Sequence, residues 1–234
     1  MRAAAQKMVI AGAGGTVSSG PERPFLMNTS QNTERSLQEH IHAVTRAALE
    51  SIPASDRADI YVISMYVSDI EDDHRRPTIM VGFNTEQRVA ACTPAPGQKA
   101  KWPIASDAAE ARWNFAFWLQ NNLVTLGGDD DATGAALIQS WAIERGYWYS
   151  DEEEDHDFDA ALAKVRPLTG AFVQLAVGVV QELHRSGELV RIFQRPVPVL
   201  IHELEYYDEI AAQNEDANPK ELVEGFVEWV RSYK

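Results

Sequence analysis

The sequence predicts an α+β fold, in which helices pack on a small mixed or mostly antiparallel sheet within a single domain. Three observations lead to this prediction. Apolar residues recur at three- and four-residue spacings over much of the chain after residue 35, which is the period of an amphipathic helix. Short runs rich in β-branched and aromatic residues occur twice early and at least once late, with helical segments between them. No interior stretch has the composition of a linker, so we expect one domain over residues 31–234.

The first half of the domain is predicted to hold two helices and a hairpin. Pro53 ends the first helical pattern, and a charged segment over 69–76 separates two strand-like runs. Prolines and a glycine then interrupt the pattern as far as residue 105. In order, we expect a helix over 36–52, hairpin strands over 60–67 and 78–83, a loop over 84–105, and a helix that Ser106 caps and that continues to residue 120.

The second half is predicted to be mainly helical, with one buried strand. Gly146 and Gly187 follow helical patterns at the position where a glycine commonly ends a helix. Pro167 is expected to kink or split the helix that contains it. In order, we expect helices over 132–145 and 158–186, a short strand or turn over 189–193, a buried strand over 197–203, a brief helix over 208–214, and a last helix with Asn218 as cap and Pro219 at its first position.

Residues 1–30 differ in composition from the remainder of the chain. Glycine, serine and proline are frequent there, and few residues are suited to a core. We therefore expect a disordered or poorly packed tail. Met27 offers an alternative start, which would place residues 1–26 upstream of the biological protein.

The charge balance restricts the classes of partner. The chain has 21 Lys and Arg against 35 Asp and Glu, so its formal net charge is −14. This excess of negative charge argues against nucleic acid and against an anionic membrane surface, and it favours a basic protein partner.

No apolar run reaches the roughly 20 residues of a membrane span. Cys92 is the single cysteine, and we predict that it is a small hydrophobic residue in the core. Because one cysteine cannot form a disulfide within the chain, we expect a cytoplasmic location. No cofactor is expected.

The late strand ends in a titratable cluster that permits three interpretations. Val197 to Ile201 form an apolar run, after which come His202, Glu203, Glu205 and Asp208, with Tyr206 and Tyr207 between them. The first interpretation is a metal site of a hydrolase formed by His202, Glu203, Glu205 and Asp208. Strand alternation opposes it, because Glu203 and Glu205 would share one face while His202 points to the other. The second is the rim of a binding surface that includes Glu205, Tyr206 and Tyr207. The third is a strand end that meets solvent, with Asp208 capping the next helix.

The densest charge block follows three aromatic residues. The carboxylates are Asp151, Glu152, Glu153, Glu154 and Asp155, and the aromatics are Tyr147, Trp148 and Tyr149. Such a charge run predicts a solvated, mobile loop. The alternative is an anchor for a cationic partner, in which aromatic contacts supply affinity and carboxylates accelerate association.

Three segments of the chain look familiar when they are taken together. They are Val81 to Thr85 (VGFNT), Glu110 to Ala116 (EARWNFA) and Ile201 to Asp208 (IHELEYYD). The chain resembles an uncharacterised bacterial domain family of unknown function, over residues 35 to 233. It is more loosely similar to immunity-type proteins of polymorphic toxin systems. The resemblance implies no catalytic residues.

The sequence therefore predicts a non-enzymatic cytoplasmic protein-binding domain, with an immunity role as one form of it. Acidic and aromatic surface residues would meet a basic partner. The alternative function is a metal-assisted hydrolase that uses the cluster at the end of the late strand. The oligomeric state is not predicted.

Overall fold

The computed structural model of this chain describes residues 25–93 and 104–232, with side chains from residue 31 onward. Helices make up most of these residues and surround one four-stranded sheet. The predicted α+β class with a small mixed sheet is confirmed.

The helices and strands have the following bounds. The strands are β1 (Ile60–Asp69), β2 (Pro77–Thr85), β3 (Val124–Leu126) and β4 (Val199–His202). The helices are α1 (Phe25–Ser51), α2 (Ala54–Arg57), α3 (Glu86–Cys92), α4 (Ala108–Trp113), α5 (Ala132–Arg145), α6 (Asp151–His156), α7 (Phe158–Val165), α8 (Pro167–Arg185), α9 (Glu188–Phe193), α10 (Asp208–Ala217) and α11 (Lys220–Ser232). Since α1 begins at Phe25, the end of the predicted tail is helical, and residues 1–24 lie outside the described part.

The sheet has the order β3-β2-β1-β4 and is mixed. Strands β1 and β2 form the predicted antiparallel hairpin, and β4 lies parallel to β1 on its other side. An irregularity in register between Ile60 and Val62 places both Tyr61 and Val62 on the same face. Beyond that point the residues of β1 alternate, so that Ile63 and Met65 face the opposite side.

Helices cover both faces of the sheet. One core contains residues of α1, α5 and α8, among them the fully buried Trp141 and Phe172. The second core contains residues of α4, α10 and α11, and Phe226 lies at its centre. A strand covered on both faces needs apolar residues on both, which explains the continuous apolar run in β4.

Strand β3 was not predicted, because its three residues are too few to show a period. Its position depends on β2, which it meets antiparallel between Val81 and Val124. The backbone of Asn121, three residues before β3, packs directly against Gly82. A Cβ at Gly82 would lie 2.5 Å from the Asn121 carbonyl oxygen, so this close approach requires glycine.

Two asparagine side chains close the outer edge of β4. The Asn214 amide accepts from the Ile201 N–H at 2.8 Å and donates to the Ile201 carbonyl at 2.7 Å. The Asn218 amide makes the same pair of bonds with Val199, at 2.8 and 2.9 Å. The prediction that Asn218 caps the last helix was wrong, because its side chain faces the strand instead. Helix α10 and the residue that follows it therefore supply the hydrogen bonds that a fifth strand would supply.

Three other elements differ from the prediction for local reasons. Residues 86–92 form α3, because the Thr85 hydroxyl caps it by accepting from the Arg88 N–H at 3.2 Å. Helix α4 is capped by Asp107 rather than Ser106 and ends at Trp113, well before residue 120. Residues 188–193 form the short helix α9 rather than a strand or turn, with Leu189, Ile192 and Phe193 buried at helical spacing.

The predicted break at Pro167 is confirmed, since α7 ends at Val165 and α8 begins at Pro167. Taken together, residues 158–185 have the length and composition of a membrane span, yet half of their most apolar window is buried in this structure. The apolar side chains of α8 pack on the sheet, which is the arrangement of a core helix. Cys92 is buried, as predicted.

Candidate functional site

The three segments that carry the family resemblance meet on one side of the sheet. Asn84, from the first segment, donates to the Tyr61 hydroxyl at 3.0 Å, and that hydroxyl donates to the Arg112 carbonyl of the second. The N–H of Phe115, also from the second, donates to the Tyr206 hydroxyl of the third at 2.8 Å. These partners are buried or half-buried, so the network positions the surrounding elements.

His202 lies at the end of β4 and points into this interior. The residue is 1 % exposed, and its Nε2 lies 2.8 Å from the Ser64 hydroxyl. Its Nδ1 lies 3.1 Å from the Glu203 carbonyl oxygen, which can only accept. The proton is therefore on Nδ1, and Nε2 accepts from Ser64. Burial lowers the pKa of His202 to about 4, so the ring is neutral at pH 7. The rings that contact it are Tyr66, Phe115 and Trp118.

The structure does not bring the proposed metal ligands together. Both ring nitrogens of His202 have hydrogen-bond partners within the protein, whereas Glu205 and Asp208 are exposed. Within residues 25–93 and 104–232, no group of three or more His, Cys, Asp and Glu side chains is placed to hold a metal ion. Asp208 lies in the first turn of α10, for which Tyr207 is the cap residue, so it does not cap this helix as expected.

A cleft of about 260 Å³ opens where β1 and β4 end. Because the two strands are parallel, their carboxyl ends meet at the same edge of the sheet. The cleft is lined by Tyr66, Asp69, Thr169, Glu203, Leu204, Glu205 and Tyr207, among others. Glu205 and Tyr207, two of the predicted binding residues, are exposed there. The third, Tyr206, is half-buried and packs against Trp229, with ring centroids 4.9 Å apart.

The cleft has a negative electrostatic character. Among the described residues, neither Glu203 nor Glu205 forms an ion pair. The Tyr207 hydroxyl donates to Glu203 at 3.1 Å, and burial next to this carboxylate raises the pKa of Tyr207 to about 12. Leu204 lies between the two glutamates with 70 % of its surface exposed. An exposed apolar residue flanked by unpaired carboxylates is suited to contact with a cationic surface.

The acidic run is an ordered helix, which corrects the prediction of a mobile loop. The Ser150 hydroxyl accepts from the Glu153 N–H at 3.2 Å, and the Glu153 carboxylate accepts from the Ser150 N–H at 2.8 Å. This capping box begins α6, and Glu153 also pairs with Lys164 of α7 at 2.9 Å. Asp151, Glu152 and Asp155 are exposed, while Glu154 is half-buried.

The aromatic triplet before α6 does not form an exposed anchor. Tyr149 is only 4 % exposed, and the half-buried Tyr147 and Trp148 pack against the core. The Arg75 guanidinium stacks on the Tyr149 and Trp148 rings, at 4.7 and 5.7 Å from their centroids. Beside α6, Phe158 is an exposed aromatic residue, with 59 % of its surface accessible.

The turn of the β1–β2 hairpin joins α6 to the cleft. Arg75 makes two hydrogen bonds to Asp73, at 2.8 and 2.9 Å, and one to Asp151 at 2.6 Å. Burial alone would raise the pKa of Asp73, but the hydrogen bonds from Arg75 hold it below its usual value. Asp69, which precedes the turn, lines the cleft and pairs with His74 at 2.7 Å. We call the exposed carboxylates of α6, those of the turn (Glu71, Asp72) and Asp129 the acidic surface.

No family model, no curated protein and no solved structure matches this chain. The resemblance of the three segments to an uncharacterised bacterial family stays a prediction.

Proposed function

We propose that this protein is a non-enzymatic binding protein that recognises a basic protein partner through the acidic surface and the neighbouring cleft. The net charge of −14 supports a positively charged partner, because it attracts cations at long range. A cytoplasmic location belongs to the proposal, and a partner of the toxin type, as the immunity-like resemblance implies, is one form of it.

The observation that carries the proposal is the pair Glu203 and Glu205 at the mouth of the cleft. Within the described chain these carboxylates have no cationic partner, although they lie beside the exposed side chains of Leu204 and Tyr207. A partner with lysine or arginine would supply the missing charge and would cover the apolar surface. Charge complementarity of this kind mainly sets the association rate and the choice of partner.

The order of α6 also supports a recognition role. Its capping box and its pairing with Lys164 hold the carboxylates in place before any partner arrives. Binding then loses little conformational entropy in this segment, which favours affinity. The exposed ring of Phe158 offers an aromatic contact of the kind that dominates interface energetics.

Affinity capture from a bacterial lysate at low and high salt tests the proposal. Glu203→Gln with Glu205→Gln removes two charges from the cleft, and Glu152→Gln with Asp155→Asn removes two from α6. The matched control is Glu224→Gln with Glu228→Gln on α11, where both residues are exposed and make no ion pair within the described residues. All three variants change the net charge equally.

We expect the wild type and the α11 control to retain the same basic protein at low salt and to lose it at high salt, since salt screens exposed charges. Both site variants should retain less of it. If the control loses as much as the site variants, net charge alone explains retention. The proposal fails in that case, and also if no basic protein is retained.

A further inference from the structure

A pocket of about 440 Å³ lies between α5 and the turn of the β1–β2 hairpin, next to the acidic surface. Its wall on the α5 side consists mainly of small or apolar residues, with one glutamine, and its opposite side is formed by Trp148, Pro77, Arg75 and Arg76. The α5 residues are Ala132, Ala135, Ala136, Ile138 and the polar Gln139. We call this the α5 pocket.

The α5 pocket exists because three alanines share one side of α5. Ala132, Ala135 and Ala136 follow the three- and four-residue spacing of a single helix face. Residues of the same helix such as Trp141 pack into the core. Helix α5 therefore has a second side, mainly of alanine with Gln139 at its end, which the rest of the described chain leaves uncovered. Uncovered apolar surface of this kind is typical of interaction sites.

The two arginines of the pocket do not make it a site for anions. Arg75 pairs with Asp73 and Asp151, and Arg76 pairs with Asp129 at 3.1 Å. Three carboxylates thus neutralise two guanidinium groups. Asp129 and Asp151 are 87 % and 81 % exposed, and together with Asp73 they exceed the two guanidinium groups by one charge. The charged groups at the rim of the pocket are therefore negative in sum, although its walls are mainly apolar. An apolar recess with a negative rim is complementary to an apolar side chain that has cationic neighbours.

We propose that the α5 pocket receives a bulky apolar side chain of the basic partner, with lysine or arginine next to it in the partner's sequence. This inference rests on the proposed function and identifies the contact that would contribute most to the binding energy. The apolar side chain would pack against Trp148 and the alanine face, while the flanking cations would meet Asp129 and Asp151. Burial of one large side chain in such a recess dominates the energetics of many interfaces.

Three synthetic pentapeptides test the inference on the wild-type protein. The first has a central tryptophan between two pairs of lysines, the second has alanine in place of tryptophan, and the third has glutamates in place of lysines. Dissociation constants are measured by calorimetry at low salt. We expect the first peptide to bind at least about tenfold more tightly than either of the others. In NMR spectra, its addition should shift the indole resonance of Trp148.

Two matched variants locate the binding site. Ala135→Phe fills the pocket, and Thr133→Phe places the same side chain at an exposed position of α5 outside the pocket lining. Circular dichroism and thermal melting confirm that each variant folds. Ala135→Phe should weaken binding of the tryptophan–lysine peptide about tenfold, and Thr133→Phe should change it less than twofold.

The inference is overturned if the tryptophan and alanine peptides bind equally well, or if the glutamate-flanked peptide binds best. It is also overturned if both variants weaken binding to the same extent. When the lysine peptides bind equally well and in a salt-dependent manner, the proposed function survives without this pocket. If none of the lysine peptides binds and no basic protein is captured, the proposed function itself fails.

Discussion

Mild acid should destabilise this protein through His202. In the folded state burial lowers the pKa of His202 from its ordinary 6.5 to about 4, whereas the unfolded chain exposes the ring. Below pH 6.5 the unfolded state therefore binds a proton that the folded state does not. This contribution to stability is fully present above pH 6.5 and is lost as the pH falls towards 4. The two values differ by about 2.5, which corresponds to about 3 kcal/mol at full extent.

Urea unfolding between pH 7.5 and 4.5 measures this loss. The comparison is with His202→Gln, whose amide keeps a donor and an acceptor for Ser64 and Glu203 but does not titrate. The other ionisable groups are present in both proteins, including His184, whose pKa burial also lowers. The wild type should lose more stability than the variant over this range, by an amount approaching 3 kcal/mol. Parallel pH profiles of the two proteins, or an NMR titration of His202 near pH 6.5, would refute the reasoning.

Three further substitutions follow from the structure. Asn214→Leu should lower the free energy of unfolding by about 2 kcal/mol, because the buried Ile201 N–H loses its acceptor while the Ile201 carbonyl keeps only the donor from Gln213; urea unfolding measures it, and a change below about 1 kcal/mol would contradict it. Gly82→Ala should destabilise by at least about 1 kcal/mol, since its Cβ would lie 2.5 Å from the Asn121 carbonyl oxygen; an unchanged melting temperature would contradict this close approach. Ser150→Ala should lower the free energy of unfolding by about 1 kcal/mol and reduce the helicity of α6, which NMR chemical shifts measure. An unchanged helicity of α6 would show that the capping box is dispensable.

The fold class was predictable because its signals are local. The hairpin, helix α5 with Gly146 after it, and the break at Pro167 each depend on residues a few positions apart in the chain. Strand β3 was not predictable in this way, since it exists only through its pairing with β2.

The candidate site was only partly predictable. The exposed positions of Glu205 and Tyr207 agree with the sequence, but the burial of Tyr149 depends on Arg75, which lies 74 residues away. The capping box of α6 could have been found in the sequence, because a serine followed three residues later by glutamate is its signature. The composition of the acidic run suggested a loop instead. His202 and Ser64 are 138 residues apart in the chain, so no local sequence pattern predicts their hydrogen bond.

The asparagine pairs on β4 have a consequence for how the protein opens. The amide protons of Val199 and Ile201 lie at the border of the sheet, where exchange with solvent is ordinarily fast, yet both donate to buried side chains of Asn218 and Asn214. Deuterium should therefore replace them only when α10 detaches, so that this helix and β4 behave as one cooperative unit.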